Sequence, residues 1–271
     1  MTRVKAVLVI ALAIAAAAGV AGARNKPSPS EYGRVIFRSH VGDTGLAPVV
    51  FDHWLHRAKF TCRLCHVDIG FAMKEGGTDV TAAMNMKGQY CGSCHNGKRT
   101  IDDKKIFASC AVTVTAETRP RCERCHSLGK KGSREYEFTA FTQKLPKAGL
   151  GNGVDWEEAE NKGIIKPIDF LDGVSMKRPA LKTQKDFAIE ARATWIDDVI
   201  FSHKKHAIWN GCEVCHPDIF PSVQKGTTKY SMFDIVEGQY CGVCHDKVAF
   251  PIRDCQRCHV KPVQMGPGMH H

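Results

Sequence analysis

The chain has 271 residues, a formal net charge of +10 and 13 cysteines. The basic balance by itself suggests an anionic partner such as nucleic acid or a membrane surface, but no basic stripe interleaved with aromatics accompanies it, and nucleic-acid binding is set aside. A cysteine count this high in an exported chain ordinarily means a disulfide framework, and that reading fails because twelve of the 13 stand in Cys-X-X-Cys pairs, each followed at once by His.

In chain order, Arg3 and Lys5 precede an apolar run from Ala6 to Val20, and Ala21-Gly22-Ala23 stands just before Arg24-Asn25-Lys26. Residues 1–23 read as a cleavable secretory signal peptide, because about fifteen mostly Ala and Val residues fall short of the roughly twenty that span a bilayer. An uncleaved membrane anchor is the rival. No later segment is long and apolar enough to cross a membrane, so the mature protein is expected to be soluble and periplasmic, with the outer surface as the alternative. Residues 24–49 form an N-terminal segment containing His40.

Six motifs follow: Cys62-Arg-Leu-Cys65-His66, Cys91-Gly-Ser-Cys94-His95, Cys122-Glu-Arg-Cys125-His126, Cys212-Glu-Val-Cys215-His216, Cys241-Gly-Val-Cys244-His245 and Cys255-Gln-Arg-Cys258-His259. Two thiols three positions apart suit thioethers to the two vinyl groups of a haem, and the adjacent His falls beneath the iron as proximal ligand. Zinc also uses Cys-X-X-Cys, but does not require His after every second Cys and needs closed four-ligand sites. Six covalent haems c are therefore expected. Each carries two propionates against a core of +1 when ferric, so the basic balance reads as compensation for propionates. Cys110, followed by Ala-Val-Thr, starts no motif and reads as a small buried hydrophobe or incidental thiol.

The chain repeats itself at an offset of 150 residues: Phe51, His53, His56, Cys62, Cys65, His66, Asp68 and Ile69 return as Phe201, His203, His206, Cys212, Cys215, His216, Asp218 and Ile219, and Gly88-Gln89-Tyr90-Cys91-Gly92 returns as Gly238-Gln239-Tyr240-Cys241-Gly242. The third motif breaks the offset, and a 17-residue insertion containing Cys110 accounts for it. Three haems in about sixty to eighty residues leave too little chain for an ordinary apolar core, so porphyrin is expected to supply most of it. Short helices are expected at the His-X-X-His segments and at the haem motifs, with loops elsewhere and little sheet. The segment between the repeats has Gly and Pro punctuation that argues against long helices and apolar stretches such as Ile164-Ile165 and Phe170-Leu171 that argue against disorder. It reads as a bridging wrap packed on both units, with a flexible tether as the rival.

Six low-spin haems need six distal ligands, and seven His lie outside the motifs: His40, His53, His56, His203, His206, His270 and His271. Residues three apart on a helix leave one face, so His53 with His56, and His203 with His206, could each ligate two haems. One haem per unit then lacks a partner. Met84 or Met86 in the first unit and Met232 in the second stand in the interval before the middle motif, and His40 competes in the first. His-Met ligation raises haem potential relative to two His. His270 and His271 read as a frayed terminus.

Phe-X-His-X-X-His, Cys-X-X-Cys-His-X-Asp-Ile, Gly-Gln-Tyr-Cys-Gly-X-Cys-His and the closing Cys-X-Arg-Cys-His together resemble the c7-type trihaem cytochrome domain, related to cytochrome c3. The resemblance implies a mainly α or irregular, haem-cored fold with two c7-like trihaem domains at 50–127 and 200–262, a haem-free bridging segment at 128–199 and a flexible tail at 263–271. It also implies that His53 and His203 serve the haems of His66 and His216, while His56 and His206 serve those of His95 and His245. The family's remaining ligand, a His four residues before the middle motif, is replaced here by Lys87 and Glu237. The haems of His126 and His259 are thus the ones whose sixth ligand stays open.

The expected function is electron carriage along the haem chain, without catalysis, between redox proteins such as periplasmic or outer-membrane cytochromes and quinol-oxidising complexes in anaerobic respiration. A multihaem reductase, which needs an open iron position, and a filament-forming conductive cytochrome are the alternatives. Intact mass under denaturing conditions is expected to show six attached haems, and any other number contradicts the reading.

Overall fold

The computed structural model describes residues 27–41, 45–110, 113–129, 133–179, 185–193 and 195–262. The expected signal peptide and the tail with His270 and His271 lie outside them. Among the described residues the regular structure is short and scattered. Strands β1 (Arg34–Phe37) and β2 (Val49–Asp52) pair antiparallel, β3 (Thr100–Ile101) pairs with β4 (Lys104–Lys105), and β5 (Phe187–Ile189), β6 (Asp198–Phe201) and β7 (His259–Lys261) form an antiparallel sheet of three in that order. No helix here is long and apolar enough to cross a membrane.

The repeat seen in sequence returns as repeated construction. β2 runs directly into a helix over His53–Arg57, and β6 leads into one over His203–Asn210. Further on, helices over Ala82–Met86 and Met232–Val236 start at hydroxyl caps: Thr81 Oγ1 accepts from the Met84 amide at 3.2 Å, and Ser231 Oγ accepts from the Asp234 amide at 3.3 Å. Ser and Thr favour this position because their oxygens satisfy an otherwise orphaned first-turn amide. Each helix is followed by a tight turn carrying the middle motif, Tyr90–Ser93 and Tyr240–Val243. The inserted residues of the first unit contain the β3–β4 hairpin.

The best-packed side-chain core differs from expectation. Trp54 and Ala58 from the first repeat are buried with Phe138, Leu145, Val154, Trp156, Ala159 and Ile165 from the intervening segment. Trp54 meets Phe138 edge-on with ring centres 5.2 Å apart. The segment without haem motifs thus supplies most of this ordinary apolar core. It also holds a helix of 10 residues, Ser133–Thr142, which fits because no Gly or Pro falls between Ser133 and Leu145.

This segment binds both repeats. On the first, the Ile168 amide donates to the Lys59 carbonyl at 2.7 Å and the Thr61 amide to the Ile168 carbonyl at 3.1 Å, while Arg63 pairs with Asp169. Arg178 reaches Asp68 of the first repeat at 2.7 Å and Glu213 of the second at 3.0 Å, and Arg257 of the second meets Asp155 at 3.2 Å. Trp54→Ala should cost about 3–5 kcal/mol, the usual loss for emptying a packed aromatic site. Chemical denaturation of the haem-loaded protein measures it, and a loss below about 1 kcal/mol would contradict this account of the core.

Candidate haem sites

The first unit's paired histidines meet different motifs. The ring of His53 lies 6.4 Å from that of His66 with planes 4° apart, and His56 lies 6.3 Å from His95 at 57°. In the second unit His206 lies 6.3 Å from His245 at 50°. Two imidazoles bonded through Nε2 to opposite faces of one metal, at about 2 Å each, put their centres roughly 6.3 Å apart. These pairs therefore have the spacing that an intervening iron requires. His203 packs on Phe187 and Phe201, with ring centres at 6.1 and 5.9 Å, and its pairing with His216 is not among the ring contacts described.

Main-chain carbonyls fix the ring orientations. His Nδ1 atoms bond to the carbonyl oxygens of Gly33 (His53, 2.5 Å), Phe71 (His66, 2.9 Å), Ala47 (His126, 2.7 Å), Ser202 (His206, 2.8 Å), Phe220 (His216, 2.7 Å), Phe250 (His245, 2.9 Å) and Asp197 (His259, 2.5 Å). A carbonyl can only accept, so each Nδ1 carries the proton and each Nε2 is left with its lone pair, the arrangement expected of a metal-bound imidazole. Burial lowers the pKa of His53, His66, His95, His206 and His245. That keeps the rings neutral, as ligation demands.

A continuous cavity of about 3080 Å³ runs beside these groups, lined by Cys62, Cys65, Cys91, Cys244, His66 and His245 among others. An ordinary ligand pocket spans about 300–1,000 Å³, so this one has room for several large planar groups. No two cysteines are disulfide-bonded, and among the described residues no three His, Cys, Asp or Glu side chains converge on a metal site. Opposed His pairs flanking this space fit haem.

The third motifs are held by the strands. The Val50 amide donates to the Cys125 carbonyl at 2.8 Å, and the Ile200 amide to the Cys258 carbonyl at 3.1 Å. Sequence comparison missed a device linking third and middle sites. Phe107 lies 4.5 Å from the His95 ring, and Arg124, inside the third motif, sits 4.0 Å over Phe107. Phe250 lies 4.3 Å from His245 under Arg257, 4.8 Å away. The insertion destroys the constant offset between Phe107 and Phe250. The surviving signal was the Arg shared by both closing Cys-X-Arg-Cys-His motifs.

For the third haems, no second His is brought opposite His126 or His259 among the ring pairs described. His40 is bonded to Asp79 at 2.5 Å on an exposed surface. Met84 is half-buried and lines a smaller cleft with Tyr90 and Arg99, Met86 is 45% exposed, and Met232 is 50% exposed at the large cavity. The two helices that carry them occupy the same place in their repeats, and at the offset of 150 Met232 stands against Ala82, Met84 against Asp234 and Met86 against Val236. The methionines are thus not equivalents of one another.

Gly92 and Gly242 fill the first variable position of the middle motifs for a steric reason. A Cβ at either would run into a helix carbonyl, that of Asn85 or Ile235. Gly242→Ala should force the Met232–Val236 helix away from the motif and cost about 1–3 kcal/mol, as overpacking does. Denaturation of the loaded protein reads the loss against Ser93→Ala as a control, and equal stability of the two variants would contradict the contact.

The model for "Cytochrome c7 and related cytochrome c" matches residues 49–127 and 199–260, together more than half of the chain. No curated protein matches. Among solved structures the chain is similar to the C-terminal hexaheme fragment of GSU1996, at 23% identity over 84% of this chain and 96% of that one with a TM-score of 0.25. It is also similar to the N-terminal hexaheme fragment, at 22% identity over 84% and 98% with a TM-score of 0.23, and to the dodecaheme cytochrome c GSU1996, at 22% identity over 88% and 75% with a TM-score of 0.23. With two matched regions that coincide with its two sets of three Cys-X-X-Cys-His motifs, the chain belongs to the family of cytochrome c7 and related cytochromes c and carries covalently bound haem c.

Proposed function

We propose that this protein is an exported hexahaem electron carrier acting between respiratory redox proteins, with periplasmic or outer-membrane cytochromes and quinol-oxidising complexes as partners and anaerobic respiration as setting. Its two trihaem units are residues 50–127 and 200–262, joined through 128–199. The thioether positions are Cys62 and Cys65, Cys91 and Cys94, Cys122 and Cys125, Cys212 and Cys215, Cys241 and Cys244, and Cys255 and Cys258. His66, His95, His126, His216, His245 and His259 are the proximal ligands, and His53, His56, His203 and His206 the distal ones. Met84, as the more enclosed of the first unit's two candidates, and Met232 are proposed for the haems of His126 and His259.

When bound, haem c supplies a one-electron ferric–ferrous couple. The chain's contribution is to hold seven of the ten ligand imidazoles through Nδ1 on a main-chain carbonyl, which leaves the Nε2 lone pair for a metal, and to pack Phe rings against several of them. The observation that carries the reading is the set of opposed imidazole pairs at 6.3 to 6.4 Å. At the three haems so enclosed a substrate would find no open coordination position, which suits a carrier.

Near-infrared magnetic circular dichroism with a redox titration tests this. The carrier predicts six low-spin ferric haems, four with two His ligands and two with His and Met. Six bis-His signals would remove the methionines from the scheme, and a substantial high-spin ferric population would replace the carrier with a reductase.

A further inference from the structure

Arg57 ends the His53–Arg57 helix and reaches across the junction of the two repeats. Its guanidinium lies 5.0 Å over the ring of Trp156, in the intervening segment, and 5.1 Å over that of Trp209, in the second repeat's His203–Asn210 helix. Nη1 donates to the Val248 carbonyl at 2.9 Å, three residues after His245. The surrounding seam is tight. The Tyr32 hydroxyl donates to the Ala249 carbonyl at 2.6 Å, and Gly33, at φ +78°, has a Cβ position only 3.1 Å from the Lys247 carbonyl oxygen and 3.4 Å from the His53 Cβ.

The guanidinium's hydrogen-bond acceptor is a neutral carbonyl and its two stacking partners are neutral indoles. Arg57 lines the large cavity together with Cys62 and Cys244. Burial works against its charge, and the ionisable groups close enough to act on it are Cys62 first, then Glu160 and Tyr32; once haem is attached the Cys62 sulfur is an uncharged thioether, so it marks closeness to that haem and supplies no counter-charge. A guanidinium stays protonated in a protein, and an enclosed cation is costly unless an anion faces it. A haem with two propionates is such an anion, and reduction makes it more negative by one.

We propose that Arg57 is a positioning residue at the junction of the repeats, a fixed positive charge that raises the reduction potential of the haem carried by Cys62 and Cys65. The inference rests on the haem assignments above. A nearby cation stabilises the more negative ferrous state, and the attraction is large where water is excluded. Lys would keep the charge but lose the planar stack between the indoles.

The test is a reductive titration of the full, haem-loaded protein followed by NMR of the assigned haem methyl groups. In Arg57→Gln the haem of His66 should lose about tenfold in its reduced-to-oxidised ratio at a given potential, about 59 mV for one electron, while the haems of His126 and His259 hold theirs. Arg57→Lys should restore most of that shift. Glu160→Gln, which removes a negative charge acting on Arg57, should move the same haem the opposite way, and it reads the same field should the Gln variant fail to accumulate. An unshifted His66 haem, an equal shift of all six, or a Lys variant as low as the Gln variant would overturn the proposal. A wild-type mass showing other than six haems would instead sink the parent assignment.

Discussion

An imidazole can turn either nitrogen outward, and a haem iron needs one particular choice. In this chain the choice is made by the main chain, through bonds between His Nδ1 and carbonyl oxygens, several of them distant in sequence. Gly33 serves His53, Ala47 serves His126, and Asp197 serves His259. Each such bond is worth only about 1 kcal/mol net, yet together they determine which nitrogen meets the metal. The short strands make sense in this light. The β1–β2 hairpin delivers Gly33 and Ala47 from its flanks, and the Asp197 carbonyl stands just before β6.

The same economy separates two kinds of interior. Where the motifs stand, space is left open and lined by Cys and His. Where no motif stands, the chain builds an ordinary side-chain core around Trp54, Trp156 and Ala159. These interiors meet on the His53–Arg57 helix, whose residues face three ways: the imidazoles toward their motif partners, Trp54 into the packed core, and Arg57 across to the second repeat. A disturbance on this helix is therefore felt by a haem site, the core and the junction together.

The motifs and paired histidines were legible because their spacing is set by local chemistry: two vinyl groups fix the thiol separation, and one helical turn fixes the pairing. The carbonyls that orient the imidazoles carry no side-chain signal, so nothing in the letters Gly33, Ala47 or Asp197 announces them. The packed core was hidden for a different reason. Gly149 to Gly153 and the nearby prolines read as loop, whereas the turns they make bring Leu145, Val154 and Trp156 into one cluster. The Arg–Phe–His stacks were half visible, since the Arg recurs within its motif but the Phe falls on opposite sides of an insertion.

Enclosure of the thiols bears on how the protein is made. Burial pushes Cys65, Cys91 and Cys244 up to about 12 and Cys241 up to about 11, so in the closed fold these four are almost wholly protonated at neutral pH. The thiolate is the reactive form of the group, so cofactor attachment at these positions is favoured in a chain that has not yet closed, with the porphyrin joined first and the polypeptide folding around it afterwards.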